Sequence, residues 1–396
     1  MTVLQQVFPP APAAHAKQRG TPLALDTGAP SLPLNDQIRA TLLGRVSCLG
    51  EGEYPPREGM PALREAIAYF HRTRHGIPDG VENIQVTYGG MQAIYDVLAE
   101  VIRPGDEVLL PAPYWYHFPH LIAQAGGRTE LIATDEANNF KLMADQLEAA
   151  ITPKTRLLVL TNPNNPTGSV HNRAEMADLV RVLIRHPQVL VLSDEVYNQL
   201  VLGINGLPAF CCGPAAWPEL RDRVLVVNSF SKNYGLSGLR VGYIAAHPDW
   251  INRFSQRQRF STLGVSPMLQ QQAVFVLAAQ PMIVPALVKT LHARRERAMA
   301  LMRSLPVLSV SPPQAGFYFF ADARALLGLH TPNGVVVATD ADLAAWLLED
   351  AEVAVWPGSS CGTPGFLRLT FAVPEAVFAE GIERMRHSFE KLMPGF

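Results

Sequence analysis

Ser229-Phe-Ser-Lys-Asn-Tyr-Gly-Leu-Ser-Gly-Leu-Arg240 sets one lysine beside two hydroxyls and a later arginine, directly after the apolar run Val224 to Val227. A short buried strand ending at Asn228 would leave Lys232 on a loop at the edge of a sheet, where α/β proteins gather their ligands. A hydroxyl, a guanidinium and an amine together suit a bound phosphate next to a lysine that condenses with an aldehyde. The plainer alternative is an exposed lysine in a Ser/Gly loop, because lysine is mostly a surface residue.

Two further stretches change that balance. Val191-Leu-Ser-Asp-Glu-Val-Tyr197 follows the apolar residues Val189 to Leu192, which puts Asp194 at the carboxyl end of another strand. A carboxylate there can pair with a protonated ring nitrogen, and Tyr197 can reach a phenolic oxygen on the same ring; an Asp capping a helix is the competing use. Thr161-Asn-Pro-Asn-Asn-Pro-Thr-Gly168 follows the strand-like Arg156 to Leu160, and its two Asn-Pro steps and closing glycine make a shaped turn. Asn165 can offer its amide to that ring oxygen, or the segment is only a turn. Pyridoxal phosphate carries an aldehyde, a phosphate and a basic ring nitrogen, so it suits all three stretches at once.

In their order and spacing, NPNNPTG, SDEVY and SFSK followed by GLRVGY resemble the motifs of the class I/II aminotransferases, fold-type I pyridoxal phosphate enzymes. The resemblance extends over most of the chain. It implies that Leu25-Asp-Thr-Gly-Ala-Pro30 is a substrate-side loop containing Gly28. It also implies that Tyr54, in Glu53-Tyr-Pro-Pro-Arg-Glu-Gly-Met-Pro-Ala-Leu-Arg64, crosses to the phosphate of a neighbouring subunit in a homodimer. Thr87-Tyr-Gly-Gly-Met-Gln-Ala-Ile94 looks like the phosphate turn, with Gly89, Gly90 and Met91 against the cofactor. Pro113-Tyr-Trp-Tyr116 looks like the loop whose aromatic, Trp115, stacks on the ring. Gly365-Phe-Leu-Arg-Leu-Thr-Phe371, with Val355 to Gly358, looks like the region that presents Arg368 to the substrate carboxylate, with Gly28 and Asn165 beside it.

These assignments have physical counterparts. Gly89 and Gly90 lie between strand-like Ile84 to Thr87 and helical Met91 to Val101, so backbone N–H groups and a helix N-terminus can face an anion, joined by Ser229 and Arg240. Trp115 serves equally well as a core aromatic. Arg368 sits among Phe366, Leu367, Leu369 and Phe371 and needs an anionic partner, either a substrate carboxylate or a protein one.

The chain has 396 residues, 48% of them hydrophobic and 17% charged, enough for a large core and more than one domain. A net charge of −2 gives no footprint for nucleic acid or an anionic membrane. Cys48, Cys211, Cys212 and Cys361 have neither zinc-site nor disulfide spacing, so no metal is expected. Residues 1 to 20 lack the pattern of a secretory signal, no apolar stretch reads as long enough to span a bilayer, and the cytoplasm is the default location.

Strand-like and helix-like runs alternate from about Gly80 to Ala246, the pattern of an α/β fold with a mostly parallel sheet flanked by helices. Helical pattern covers Pro61 to Arg72, Met91 to Val101, Arg173 to Ile184 and Leu287 to Leu305, and Gln280-Pro281 reads as a passage between domains. The resemblance implies a large cofactor-binding domain over 38–280 and a smaller α+β domain over 281–396, with an N-terminal arm, 1–37, packed on it.

The expected reaction is transfer of an amino group from an L-amino acid to a 2-oxo acid by a ping-pong mechanism, with Lys232, Asp194 and Tyr197 catalytic. A lyase, cyclase or oxidase on the same scaffold would use the same residues. Met91 stands where a bacterial branch of aspartate aminotransferases carries a lysine for the second carboxylate, which leans the substrate toward a neutral, aliphatic or aromatic amino acid.

Overall fold

The computed structural model describes residues 21–32, 54–203 and 213–394. Cys48, Cys211, Cys212 and most of the expected N-terminal arm lie outside them. After β1 (Leu23–Ala24), a seven-stranded sheet is built from β2 (Ile84–Thr87), β3 (Glu107–Ala112), β4 (Arg128–Ala133), β5 (Thr155–Thr161), β6 (Leu190–Asp194), β7 (Val224–Ser229) and β8 (Gly242–Ala245). Their order is β2-β8-β7-β6-β5-β3-β4, and only β8 runs antiparallel to its neighbours. Strands β6 and β7 are buried at every residue, as continuous apolar runs must be when helices cover both faces of a parallel sheet.

A second, antiparallel sheet joins β9 (Tyr318–Asp322), β11 (Trp356–Pro357) and β12 (Phe366–Thr370), with β12 in the middle. β10 (Val353–Ala354) pairs in parallel with β1, tying the N-terminal segment to this part of the chain.

The helices are α1 (Pro61–Phe70), α2 (Gly89–Val101), α3 (Phe118–Gln124), α4 (Ala144–Ala150), α5 (Arg173–Arg185), α6 (Phe230–Asn233), α7 (Pro248–Gln258), α8 (Pro267–Met302), α9 (Asp340–Asp350) and α10 (Glu375–Phe389). Local chemistry sets several of their ends. Asn172 caps α5 by accepting from the backbone N–H groups of Ala174 and Glu175 at 2.9 and 3.0 Å, while the Glu175 side chain accepts from the Asn172 N–H at 2.8 Å.

Three expectations need correction. Lys232 lies on the short helix α6 rather than a loop, because the Ser229 hydroxyl accepts from the Ser231 N–H at 3.1 Å and so starts a helical turn directly after β7. The helix expected from Leu287 begins at Pro267 and runs through Pro281 and Pro285, so the expected passage at Gln280-Pro281 falls inside a helix. Its early residues Ala273, Val276, Ile283 and Leu287 pack in the core around the large sheet, and Leu291, Ala298, Met299 and Met302 in the core around the small one. Burial along both cores offsets the backbone hydrogen bonds that the two prolines remove. The same helix is long and apolar enough, by length and composition, to cross a membrane, contrary to the reading that no stretch is.

Backbone packs on backbone where β8 begins. A side chain on Gly242 would place its Cβ 2.6 Å from the Gly89 carbonyl carbon and 2.8 Å from both the Asn228 oxygen and the Gly90 nitrogen. Gly242→Ala is therefore expected to lower stability by about 1–3 kcal/mol, as overpacking does. It should also loosen the turn at Gly89, and urea unfolding curves matching the parent protein would contradict this.

Candidate active site

Sheet topology collects the motifs at one edge. β5, β6 and β7 are parallel, so Asn165, Asp194 and Lys232, which follow or end those strands, emerge on the same side. Gly89 and Gly90 follow β2, and Arg240 precedes the antiparallel β8, which places both at that edge too. This is the position where open α/β sheets bind ligands.

Lys232 is largely buried, and its Nζ donates to the Gly28 carbonyl oxygen. Burial, reinforced by the nearby cations Arg368 and Arg240, lowers its pKa to about 8. Such an amine has a substantial neutral fraction near neutral pH, as a nucleophile or base requires.

Asp194 is 4% exposed. Its Oδ1 accepts from the Val196 N–H at 3.4 Å, and the Thr161 side chain supplies another hydrogen bond. Those contacts do not offset burial, which raises the carboxyl pKa to about 7. Asn165 donates its amide to the Tyr197 hydroxyl at 3.4 Å. Tyr197 in turn shares a hydrogen bond with Tyr318, and burial holds both phenols above their ordinary pKa.

Arg368, 2% exposed, donates to the Asn165 Oδ1 at 3.3 Å and to the Asp26 carbonyl at 2.9 Å. Its Nε is buried without a hydrogen-bond partner, and among the described residues no carboxylate forms a salt bridge with it. The alternative of a structural ion pair is therefore not what these residues form.

At the other end, α2 opens at Gly89 with φ of 76°, a backbone that favours glycine. A Cβ there would lie 2.7 Å from Nη2 of Arg240, so glycine lets the guanidinium lie against the helix N-terminus. Arg240 itself has φ of 55° and donates to the carbonyls of Ser237 and Tyr88 at 3.1 and 3.4 Å. The N–H groups at the start of α2, a guanidinium and the Ser229 and Ser231 hydroxyls make an anion cradle.

Every expected site residue except Gly89 and Tyr54 lines one cavity of about 240 Å³. Gly89 stands beside it at the start of α2, and Tyr54 is 83% exposed and does not line this cavity. Trp115 lines the wall and packs edge-on against Phe118 at 5.5 Å, so it has core contacts as well. Sequence reasoning missed Ile94, Tyr116, Val196, Ser231, Ser237 and Tyr318. Ile94, Tyr116, Val196, Ser231 and Ser237 sat inside quoted motifs, whereas Tyr318, on β9, had no local signal.

The residues fit pyridoxal phosphate on their own chemistry. A cradle of donors suits a phosphate, a buried carboxyl without a salt-bridge partner among the described residues suits a ring N–H, and a buried guanidinium with a free donor suits a substrate carboxylate.

Residues 22–385 match the family described as Aminotransferase class I and II. An aspartate aminotransferase of Rhizobium meliloti is 32% identical over 381 residues, 96% of this chain and 92% of its own length. A crystal structure of aspartate aminotransferase from that organism superimposes with a TM-score of 0.88 at 32% identity, covering 94% of this chain and 92% of the other. An aromatic aminotransferase from Pyrococcus horikoshii gives 0.84 at 27% identity, over 94% and 96% of the two chains.

The raised Asp194 pKa has a consequence for the ligand-free protein. Between about pH 4 and about pH 7 the folded state keeps a proton that the unfolded chain releases, so this group's contribution to stability is lost as pH rises through that window. Asp194→Asn removes the titration, and its urea midpoint is expected to fall less than the parent's between pH 5 and pH 8. Equal falls would contradict the assignment.

Proposed function

This chain belongs to the aminotransferase class I and II family, and we propose that it moves the amino group of a neutral, aliphatic or aromatic L-amino acid to a 2-oxo acid by ping-pong kinetics, using pyridoxal phosphate held at Lys232. The observation that carries this reading is the convergence of Lys232, Asp194 and Arg368 in one cavity, with none of the three charges neutralised by a salt-bridge partner among the described residues.

When bound, the cofactor supplies an aldehyde for amine exchange and a ring that withdraws electrons from the substrate's α-carbon. Gly89, Gly90, Met91, Ser229, Ser231 and Arg240 would hold its phosphate end, Trp115 its face, and Asn165 with Tyr197 its ring oxygen. Asp194 would stand against the ring nitrogen, where a positive charge keeps the carboxylate ionised at neutral pH. Arg368 binds the substrate's α-carboxylate, with Gly28 and Asn165 beside it, and so fixes the direction of the α-hydrogen. Lys232, neutral in part because its pKa is lowered, takes that proton onto Nζ.

The substrate side chain has few charged groups to meet. Among the described lining residues the cations are Lys232, Arg240 and Arg368, and each already has a role in this scheme. The wall beyond them includes Met91, Ile94 and Tyr116, with Tyr116 stacked on Trp356 at 4.5 Å. An apolar side chain fits such a surface, in the direction of the relative named for aromatic substrates rather than those named for aspartate. We further propose that Tyr54, exposed here, reaches the phosphate of a second subunit in a homodimer. The division into a 38–280 cofactor domain and a 281–396 domain with the 1–37 arm belongs to the same proposal.

Adding single amino acids to the cofactor-loaded protein, with no 2-oxo acid present, should convert its visible absorption band to that of the aminated cofactor. Phenylalanine or leucine should act at lower concentration than aspartate. Preference for aspartate would overturn the substrate reading, and ammonia or a cyclic product formed without an acceptor would replace transamination with elimination, cyclisation or oxidation. Lys232→Ala is expected to lose the lysine-linked band and to cut turnover by at least about 10²–10⁴-fold, the usual share of a general acid–base.

A further inference from the structure

The guanidinium of Arg368 meets aromatic faces where a protein carboxylate is absent. Its Cζ lies 4.5 Å from the Tyr318 ring centroid, 5.8 Å from that of Trp356 and 6.0 Å from that of Tyr116. Strand register builds this arrangement. On the central strand β12, Arg368 faces Trp356 of β11 on one side and Phe320 of β9 on the other, and Tyr318, two residues along β9, projects to the same face as Phe320. The two hydrogen bonds of Arg368, to Asn165 and Asp26, leave Nε unpartnered. Tyr318 is the nearest of the three rings to the guanidinium, beside the two hydrogen bonds that hold its Nη atoms.

We infer that Tyr318 is a positioning residue for the carboxylate clamp: the face of its ring holds Arg368 oriented without competing for the substrate's carboxylate. A ring quadrupole attracts the cation but forms no salt bridge, so the guanidinium keeps its donors for an incoming anion. A protein carboxylate at the same place would consume them. The hydroxyl of Tyr318 has a separate use in the hydrogen bond with Tyr197, and it faces Gly28, where an added Cβ would lie 3.5 Å from it. The ring and the hydroxyl are thus separable by substitution. This inference rests on the proposed reading of Arg368 as the group that binds substrate carboxylate.

The test compares hydrocinnamate with its amide as ligands of the cofactor-loaded protein, by calorimetry and by the change in the visible band. Tyr318→Met, which keeps bulk but has no π face, should weaken hydrocinnamate binding about tenfold, the upper cost of ordering one long side chain that the ring no longer holds in place before the acid arrives. Binding of the amide should change by no more than about twofold, and Tyr318→Phe should hold both ligands within about twofold of the parent, since phenylalanine offers a comparable ring face. In an Arg368→Lys background the methionine substitution should add no further loss for the acid. Should Tyr318→Met not fold, Tyr318→Leu carries the same comparison.

Equal weakening of acid and amide would mean a general structural role and overturn the inference, as would unchanged acid binding in Tyr318→Met. A loss in Tyr318→Phe as large as that in Tyr318→Met would assign the effect to the hydroxyl and overturn it as well. A parent protein without the visible band would take down the functional reading and this inference together; a parent with the band and indifferent variants would remove this inference alone.

Discussion

The guanidinium of Arg368 is buried between apolar strand residues, and the described residues supply it with one carbonyl, an amide oxygen and ring faces but no carboxylate. Placing an ion out of water without a counter-ion is costly. Native domains hold only about 5–15 kcal/mol in reserve, so a fold can carry such a deficit at few places, and here it is concentrated where a ligand can relieve it. Asp194 presents the same situation with opposite sign: a buried carboxyl whose hydrogen bonds do not hold its pKa down. With Lys232, made less basic by the same low-polarity surroundings and the two arginines, the cavity is a set of incomplete ion pairs. Under the proposed reading, the cofactor and the amino acid supply the missing members.

Much of this was legible in the sequence because chemistry follows directly on structure there. Asp194 ends an apolar run, Asn165 lies in a turn forced by two prolines, and Lys232 comes one short turn after another apolar run. A reader who finds the strands therefore finds the residues at their ends. The parallel arrangement then guarantees that these ends meet, which local patterning implies without any knowledge of distance.

What escaped was whatever depended on contacts between segments remote in sequence. The run from Pro267 to Met302 looked broken because Pro281 and Pro285 each forfeit a helical hydrogen bond, yet packing against two cores keeps it helical. Lys232 was expected on a loop because the cap that makes α6 is a single serine hydroxyl, a signal too short to stand out. Tyr318 was invisible for a different reason. Its value lies in its register against Arg368, fifty residues later on the neighbouring strand, and nothing in Gly316-Phe-Tyr-Phe-Phe320 distinguishes it from any other buried aromatic.

The continuity of α8 also bears on how the two cores are joined. Its first half contacts α1 beside the large sheet and its second half contacts α10 beside the small one. Both cores draw on the same rod of main-chain hydrogen bonds, so each lends support to the segment the other packs on. A helix shared in this way acts as an axle: the packing that holds each end helical also supports the turns that lead into the other core.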